Sequence, residues 1–251
     1  MPKLGLQLYS LRDLAQEDFV GTLKKVAHIG YDGVEFAGYG GLSAKELKRV
    51  VADLGLEPVS SHVPLSDLES NLGRVIEYGQ ELGLSNIVCP YLPEEKRQTR
   101  DDYHRLAETM NQIGQDVALS GMKLAYHNHA FEFVKFDNQY ALDILYALTE
   151  EQYVQAELDI YWVEYAGESA VDYVSRYAPR SGLLHVKDMT KDDERFFAEV
   201  GTGRLDIPSI LAAAKSGGVE WYLVEQDAAR RDALESVTMS YDYLKELTAK
   251  Q

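Results

Sequence analysis

Imidazoles and carboxylates follow four apolar runs in the second half of the chain. The runs are GMKLAYHNHAFEF, QAELDIYW, GLLHVKD and WYLVEQD, and each carries two ionisable residues spaced two apart. That spacing puts both residues of a pair on the same face of an extended strand. The pairs are His127 and His129, Glu157 and Asp159, His185 and Lys187, and Glu225 and Asp227. Because unpaired buried polar groups are costly, we expect these side chains to meet in one pocket.

A divalent cation is the simplest partner for such a set. Asp159, His185 and Glu225 would repel one another or stay unpaired at successive strand ends unless something cationic joined them. Carboxylate oxygens with one or two imidazole nitrogens suit Mn²⁺, our first expectation, and also Mg²⁺, Co²⁺ or Zn²⁺. Glu157 lies a full pleat deeper and also fits a structural carboxylate in the barrel floor, and Asp227 also fits a loop cap.

Eight apolar runs alternate with amphipathic segments, at roughly the thirty-residue spacing of a strand–helix unit. The runs are nearly continuous, as in strands buried on both faces of a parallel sheet. Together they predict an α/β fold, a (β/α)₈ barrel forming a single domain over residues 1–251. A doubly wound open sheet is the alternative, but it normally has a glycine-rich turn after its first strand, and SLRDLAQED has no glycine. The predicted strands are 4–11, 33–37, 58–63, 86–91, 122–125, 154–162, 183–188 and 221–226.

The predicted helices are 18–30, 43–55, 67–83, 99–120, 140–148, 169–177, 207–216 and 228–249. Their ends carry the usual signals, such as Ser43 with Glu46 in a capping box closed by Gly55. The polar segment 189–204 is predicted to be a loop over the pocket. In a (β/α)₈ barrel the active site lies at the carboxyl ends of the strands, which is where the paired residues fall.

Composition excludes several classes of partner. The net charge is −16 with a pI of about 4.8, so nucleic acid and anionic membrane surfaces are disfavoured. Cys89 is the single cysteine, which excludes an intrachain disulfide and suits a reducing compartment. The opening MPKLGLQLYS has no signal-peptide pattern, and no apolar run approaches the ~20 residues of a membrane span. We therefore expect a cytoplasmic protein.

The sequence resembles the xylose isomerase-like (β/α)₈ family of sugar isomerases and epimerases, which includes inosose dehydratase and the endonuclease IV type of repair enzyme. The resemblance covers nearly the whole chain and rests on GYDGVEFAGYGGLSAKEL, YHNHAFEF, LDIYWVEYAG, HVKDM, GTGRLDIPSIL and YLVEQD. In that family four strand ends hold one divalent cation, commonly through Glu, Asp, His and Glu. The resemblance assigns the last three of these ligands to Asp159, His185 and Glu225.

The fourth ligand is where this chain departs from the family pattern. His127 occupies the place of the usual glutamate, and Glu132 lies five residues further on. Either residue could be the ligand. We prefer Glu132, because a carboxylate preserves the family's charge at the metal. His127 and His129 would then be catalytic groups that transfer protons or bind substrate.

The expected function is a metal-dependent isomerase or epimerase of an unphosphorylated sugar or keto-sugar. The metal would stabilise the enediolate formed when a proton leaves the carbon next to a carbonyl, and a side chain would transfer that proton. One alternative is a lyase that dehydrates a keto-sugar or ketoinositol, and another is a non-catalytic sugar-binding barrel. A DNA-repair activity is disfavoured, because it needs further histidine ligands and Trp162 stands where one would be expected.

The remaining candidates surround this centre. Lys187 is a further candidate catalytic group, which would bind or polarise a substrate oxygen. His62, Trp162 and Arg204 are the candidate substrate-binding residues. His62 fits a hydrogen-bonded core histidine equally well, and Arg204 fits an exposed loop. Aromatic walls are expected from Trp162 together with Phe131, Tyr9 and Tyr91. Barrels of this family often pair, so a homodimer is compatible with the sequence, although no exposed apolar stripe marks an interface.

Overall fold

A computed structural model describes residues 2–250. Within this range, parallel strands close into a barrel in which each strand pairs with the next one along the chain, and the eighth pairs with the first. The predicted (β/α)₈ barrel is thus confirmed. The strands are β1 Lys3–Gln7, β2 Gly33–Phe36, β3 Glu57–His62, β4 Asn86–Cys89, β5 Lys123–His127, β6 Val154–Asp159, β7 Leu183–Val186 and β8 Trp221–Val224.

Helices surround the barrel and connect its strands. They are α1 Arg12–Glu17, α2 Phe19–Ile29, α3 Ala44–Leu54, α4 Leu65–Ser70, α5 Leu72–Leu82, α6 Arg100–Leu119, α7 Ala141–Leu148, α8 Ile160–Tyr165, α9 Ala170–Tyr177, α10 Ile207–Gly217 and α11 Ala233–Ala249. Short 3₁₀ helices span Leu8–Leu11, Glu94–Lys96, Ala130–Phe133 and Ala178–Arg180. None of the helices within residues 2–250 has the combined length and apolar character that a membrane crossing requires.

Several predicted elements differ in their bounds from those of the structure. The helix predicted over 228–249 begins only at Ala233. The helix predicted over 67–83 is two helices, because Asn71 has the non-helical backbone angles φ −130° and ψ 19°. The strand predicted over 4–11 ends at Gln7, whose side chain accepts a hydrogen bond from the backbone N–H of Tyr9 and so begins a 3₁₀ helix. The strand predicted over 154–162 ends at Asp159, whose carboxylate caps the first turn of α8.

The barrel interior changes from apolar to polar along the strands. A separate buried cluster fills its lower part, formed by Val59, Val88, Ala125, Leu183, Trp221 and Leu223. His185 lies two residues beyond Leu183 on the same face of its strand, and Glu225 lies two residues beyond Leu223. Because side chains on one face of a strand recur every second residue, the ionisable side chains lie directly above this buried cluster, the apolar plug of the barrel. The remaining buried apolar residues form the larger core, which includes the layer between barrel and helices.

The segment after β7 is fixed by one buried carboxylate. Asp188 accepts hydrogen bonds from the backbone N–H groups of Met189, Gly201, Gly203 and Leu205, at 2.7–3.1 Å. A Cβ at Gly203 would lie 2.2 Å from Asp188 Oδ1, so only glycine fits there. The predicted loop over 189–204 is partly ordered: Asp188–Met189 pairs with Phe197–Ala198 in an antiparallel ladder.

We predict that Asp188→Ala lowers the free energy of unfolding by about 2–4 kcal/mol, because it leaves several part-buried N–H groups without an acceptor. Urea unfolding followed by circular dichroism measures the effect. Asp193→Ala is the matched control, since Asp193 is exposed in the same segment. Equal stability of the two variants would contradict this role for Asp188.

Candidate active site

Buried ionisable side chains converge at the carboxyl ends of β5 to β8. Nδ1 of His185 lies 2.8 Å from Glu225 Oε2. Nε2 of His127 lies 3.6 Å from Asp159 Oδ2. One ligand atom from each of these four residues can be chosen so that all lie within 4.8 Å of one another. Strand register explains the meeting, because Asp159 pairs with His185 on the neighbouring strand. All four residues are buried.

A second group lies beside the first and shares two of its histidines. It consists of His62, His127, Glu157 and His185, with the same 4.8 Å limit on its ligand atoms. His62 Nε2 lies 2.9 Å from Glu157 Oε2, and His127 Nδ1 lies 3.3 Å from the same oxygen. The structure therefore places His62 in the ionisable cluster at the barrel mouth, and Glu157 contacts both imidazoles.

Glu35 on β2 is a member of this cluster that the sequence analysis missed. Its Oε1 lies 2.6 Å from His185 Nε2 and 3.0 Å from His62 Nε2. The Ser60 hydroxyl and the Gln7 amide donate to its carboxylate at 2.6 and 2.7 Å. A signal was available, since a carboxylate inside the buried run GVEF has the same form as Glu157 inside QAELD.

Lys187 neutralises the carboxylates at the opening of the barrel. Its Nζ lies 3.0 Å from Asp159, 2.6 Å from Glu225 and 2.9 Å from Asp227. An ammonium has three N–H donors, so each of them has a carboxylate within reach. Nζ also lies 5.8 Å from the centre of the Trp162 ring. Lys187 can therefore bind a substrate oxygen only by exchanging one of these partners.

Burial and neighbouring charges shift the pKa values of the cluster in opposite directions. Burial alone would lower the pKa of His62, but Glu35 and Glu157 raise it to about 10. Burial, reinforced by nearby cations, lowers the pKa of His129 to about 3 and that of His127 well below its usual value. His62 is therefore a cation and His129 a neutral imidazole at pH 7.

The pKa values of the carboxylates are likewise shifted in opposite directions. Burial opposes ionisation of Glu225, but Lys187 and His185 lower its pKa well below the usual range. Burial, with repulsion from Glu35, raises the pKa of Glu157 to about 7. Divergent pKa values within one cleft are typical of functional sites.

Glu132 does not join either group of ligand atoms among the described residues. It is buried behind β5, where its carboxylate accepts from the Tyr126 hydroxyl at 2.6 Å and from the His129 backbone N–H at 2.8 Å. These bonds secure the 3₁₀ turn that follows His129. The geometry thus favours His127 over Glu132 as the fourth ligand, contrary to our preference from the sequence.

The remaining predicted catalytic and substrate-binding residues differ in their positions relative to the main cavity. His129 lines the main cavity and packs against Trp162 and Phe131, with ring centres 5.4 and 5.3 Å apart. Arg204 is exposed, and its backbone N–H donates to Met189. Neither Arg204 nor any other residue from 189 to 204 lines this cavity. The structure thus brings His129 to the site and leaves Arg204 outside it.

The main cavity, of about 870 Å³, opens directly above the cluster. At its inner end it exposes His62, His127, His129, Lys187, Glu225 and Asp227. Tyr9 and Tyr91 stand at its walls with 44% and 45% of their surfaces exposed, as expected of aromatic residues that a ligand would cover. This size lies near the upper end of the ~300–1,000 Å³ typical of small-molecule sites.

The residues present fit a divalent cation. Glu157 Oε1 is buried without a hydrogen-bond partner among the described residues, and Asp159 Oδ2 has the Lys187 ammonium at 3.0 Å as its neighbour. Carboxylate oxygens with imidazole nitrogens are suitable donors for Mn²⁺ or Zn²⁺. The Lys187 ammonium lies against two of the candidate ligands, Asp159 and Glu225, so an ion bound there would share them with an existing positive charge.

Comparison with known proteins places this geometry in a family. The sequence model described as "Xylose isomerase-like TIM barrel" matches residues 23–247. The chain belongs to this family. It is 29% identical over 167 residues to an inosose dehydratase of Clostridium perfringens, a match that covers 59% of this chain and 56% of that enzyme.

Solved structures extend the likeness to the whole barrel. A sugar phosphate isomerase/epimerase from Parabacteroides distasonis superposes with a TM-score of 0.85 at 26% identity, covering 98% of this chain and 94% of the other. The IOLI protein, solved with a bound zinc atom, superposes with a TM-score of 0.78 at 16% identity, covering 99% and 98%. The second likeness shows the shared fold alone.

We predict that His127→Gln weakens Mn²⁺ binding at least about tenfold, because loss of even a supporting residue costs that much at metal sites. Glu132→Gln should leave the affinity within about threefold, since its hydrogen bonds are structural. Electron paramagnetic resonance of free Mn²⁺ during titration of chelator-treated protein measures both. Weaker binding in Glu132→Gln together with unchanged binding in His127→Gln would restore Glu132 as the ligand.

The pH dependence of stability tests the environment of Glu132. Burial raises its pKa from 4.5 to about 8, so the folded chain retains a proton that the unfolded chain releases. The stabilising contribution is complete below pH 4.5 and is lost as the pH rises towards 8. Glu132→Gln cannot ionise, so its melting temperature should fall less than that of the wild type between pH 5 and 8. Exposed Glu108→Gln should follow the wild type, and an equal slope in all three would contradict the shifted pKa.

Proposed function

We propose that the chain is a metal-dependent isomerase or epimerase that moves a proton next to the carbonyl of a sugar or keto-sugar. The convergence of His127, Asp159, His185 and Glu225 beneath an open cavity is the observation that carries this proposal. These four residues would hold one divalent ion, with Mn²⁺ as our first expectation. When bound, such an ion polarises a carbonyl and makes the neighbouring C–H bond more acidic.

The chain's own residues divide the proton chemistry. His129 borders the cavity as a neutral imidazole whose Nδ1 has no hydrogen-bond partner among the described residues, so this nitrogen is free to accept the carbon-bound proton. Its lowered pKa makes it a weak base, so the transfer depends on the acidity that the metal gives the C–H bond. Lys187 lies at the inner end with its positive charge held by carboxylates, where it would bind a substrate oxygen as negative charge develops. Trp162 packs against both residues without lining the cavity itself.

A dehydratase is the second candidate, and the state of His62 favours it. Elimination of water requires an acid for the departing hydroxyl as well as a base for the proton. His62 lines the same cavity, and the Glu35 and Glu157 carboxylates 3.0 and 2.9 Å from its Nε2 raise its pKa and so favour its protonated form. The similarity to a relative named inosose dehydratase supports the same reaction class. A ketoinositol or keto-sugar with a β-hydroxyl would then be the substrate.

The test is deuterium exchange in D₂O with ketohexoses and a ketoinositol, in the presence of Mn²⁺ or Mg²⁺, read by mass spectrometry. A gain of one deuterium without loss of water supports the isomerase or epimerase, and loss of water supports the lyase. His129→Gln should slow either reaction about 10²-fold or more, while Mn²⁺ binding stays intact. Exposed His28→Gln is the matched control. No exchange with any substrate by metal-loaded protein would leave a non-catalytic sugar-binding barrel.

A further inference from the structure

The main cavity continues well beyond the ionisable cluster. Its outer part is bordered by Tyr39 after β2, by Asp67 on α4 and by Arg74, Val75 and Tyr78 on α5. These helices lie outside the barrel, between β3 and β4, whereas the cluster lies at the mouth of the barrel itself. A single hexose of roughly a dozen non-hydrogen atoms is much smaller than the ligands that cavities of about 870 Å³ accommodate. The outer part is therefore available for a second group.

One face of α5 is turned towards this outer part. Arg74, Val75 and Tyr78 have the spacing i, i+1, i+4, which places them on one side of the helix, and Asn71 stands directly before its first residue. The usual role of such a face is burial against the core, but Asn71 and Arg74 are exposed here. The cavity, rather than another element, lies over the polar part of this face.

Arg74 is a cation without a partner. Within residues 2–250 its guanidinium has no hydrogen bond, ion pair or ring contact, although it lines the cavity. Lys187 and the protonated His62, which also line the cavity, already have carboxylate neighbours. Arg74 therefore offers up to five N–H donors to whatever enters the outer part.

An aromatic platform and two further polar groups complete the outer part. Tyr39 and Tyr78 stack with ring centres 4.1 Å apart and an interplanar angle of 22°. The Tyr78 hydroxyl donates to Leu42 O at 2.9 Å, which fixes its ring. Asn71 Nδ2 donates to Asp67 Oδ1 at 3.1 Å and to Ser70 Oγ at 3.2 Å, so the carboxylate and the amide oxygen keep acceptor capacity while Arg74 supplies donors. Planar rings beside mixed donors and acceptors match a ring that carries hydroxyl groups.

We propose that the outer part is a subsite for a glycosyl group, so that the substrate is a glycosylated keto-sugar rather than a free monosaccharide. The keto-sugar ring would occupy the inner end above the cluster. The attached sugar would lie beside Tyr39 and Tyr78, with hydroxyl groups bound by Arg74, Asn71 and Asp67. A neutral glycosyl group is favoured over a charged one, because Asp67 and Arg74 line the same part of the cavity with opposite charges that offset each other. The proposal rests on the proposed function for the identity of the inner ring only.

Matched pairs of probes separate the two parts of the cavity. Lactulose, maltulose and isomaltulose are ketodisaccharides, and fructose is their shared free ketohexose. We expect at least one ketodisaccharide to bind about tenfold more tightly than fructose in isothermal titration calorimetry. Arg74→Ala should weaken binding of that disaccharide about tenfold and leave fructose binding unchanged. Arg49→Ala, which removes an exposed arginine of α3, should change neither.

Val75→Trp adds a bulky side chain to the outer part from α5, which carries none of the cluster residues, so it should abolish the preference for the disaccharide and retain binding of fructose. Equal binding of fructose and every ketodisaccharide, or equal effects of Arg74→Ala on both probes, would overturn the subsite. Binding is measured apart from turnover, so the two proposals fail separately. Absence of deuterium exchange contradicts the proposed enzyme, whereas loss of the Arg74-dependent preference contradicts the subsite alone.

Discussion

Compensation of buried negative charge at the mouth of the barrel is the constraint on which the rest of this structure depends. Asp159 and Glu225 are buried above an apolar plug, where an uncompensated carboxylate would be costly. Lys187 lies against both carboxylates and the His185 imidazole lies against Glu225, so these two residues supply the opposing charge. An imidazole must lose its proton before it can bind a metal. A divalent ion would therefore replace protons already held by the cluster rather than simply add charge to it.

The same residues also organise the local backbone, which links the fold to the site. Asp159 ends β6 and caps α8, and Gln7 ends β1 while its amide donates to Glu35. Asp188, directly after Lys187, secures the segment 201–205 through four backbone N–H groups. Substitutions that alter the chemistry of the cluster can therefore also alter where the strands end, so metal binding and stability need separate measurements.

Much of the fold could be predicted from the sequence. Each buried parallel strand corresponds to an apolar run, and the helix after it shows apolar residues at helical spacing. Spacing of two along such runs also placed Asp159, His185 and Glu225 together, since strand geometry fixes the face. The predicted bounds were wrong where a single residue, rather than the hydrophobic period, determines where a strand or helix ends. Neither the Gln7 cap nor the break at Asn71 is visible as a change in hydropathy.

The errors at the site have a related cause. Glu35 comes from the second strand, and only closure of the barrel brings it 2.6 Å from His185, 150 positions away in sequence. Glu132 lies close in sequence to the ligands, but Tyr126 and the His129 backbone occupy its carboxylate. Closeness in sequence therefore led us to expect Glu132 as a ligand, and distance in sequence led us to overlook Glu35.

The most direct test of the account is a crystal structure of the protein grown with Mn²⁺, with data collected to locate manganese by its anomalous scattering. The account predicts one strong peak at bonding distance from His127, Asp159, His185 and Glu225, with the Lys187 ammonium moved away from the shared carboxylates. A mouth that holds only water at millimolar Mn²⁺, or a peak bonded through Glu132, would contradict it.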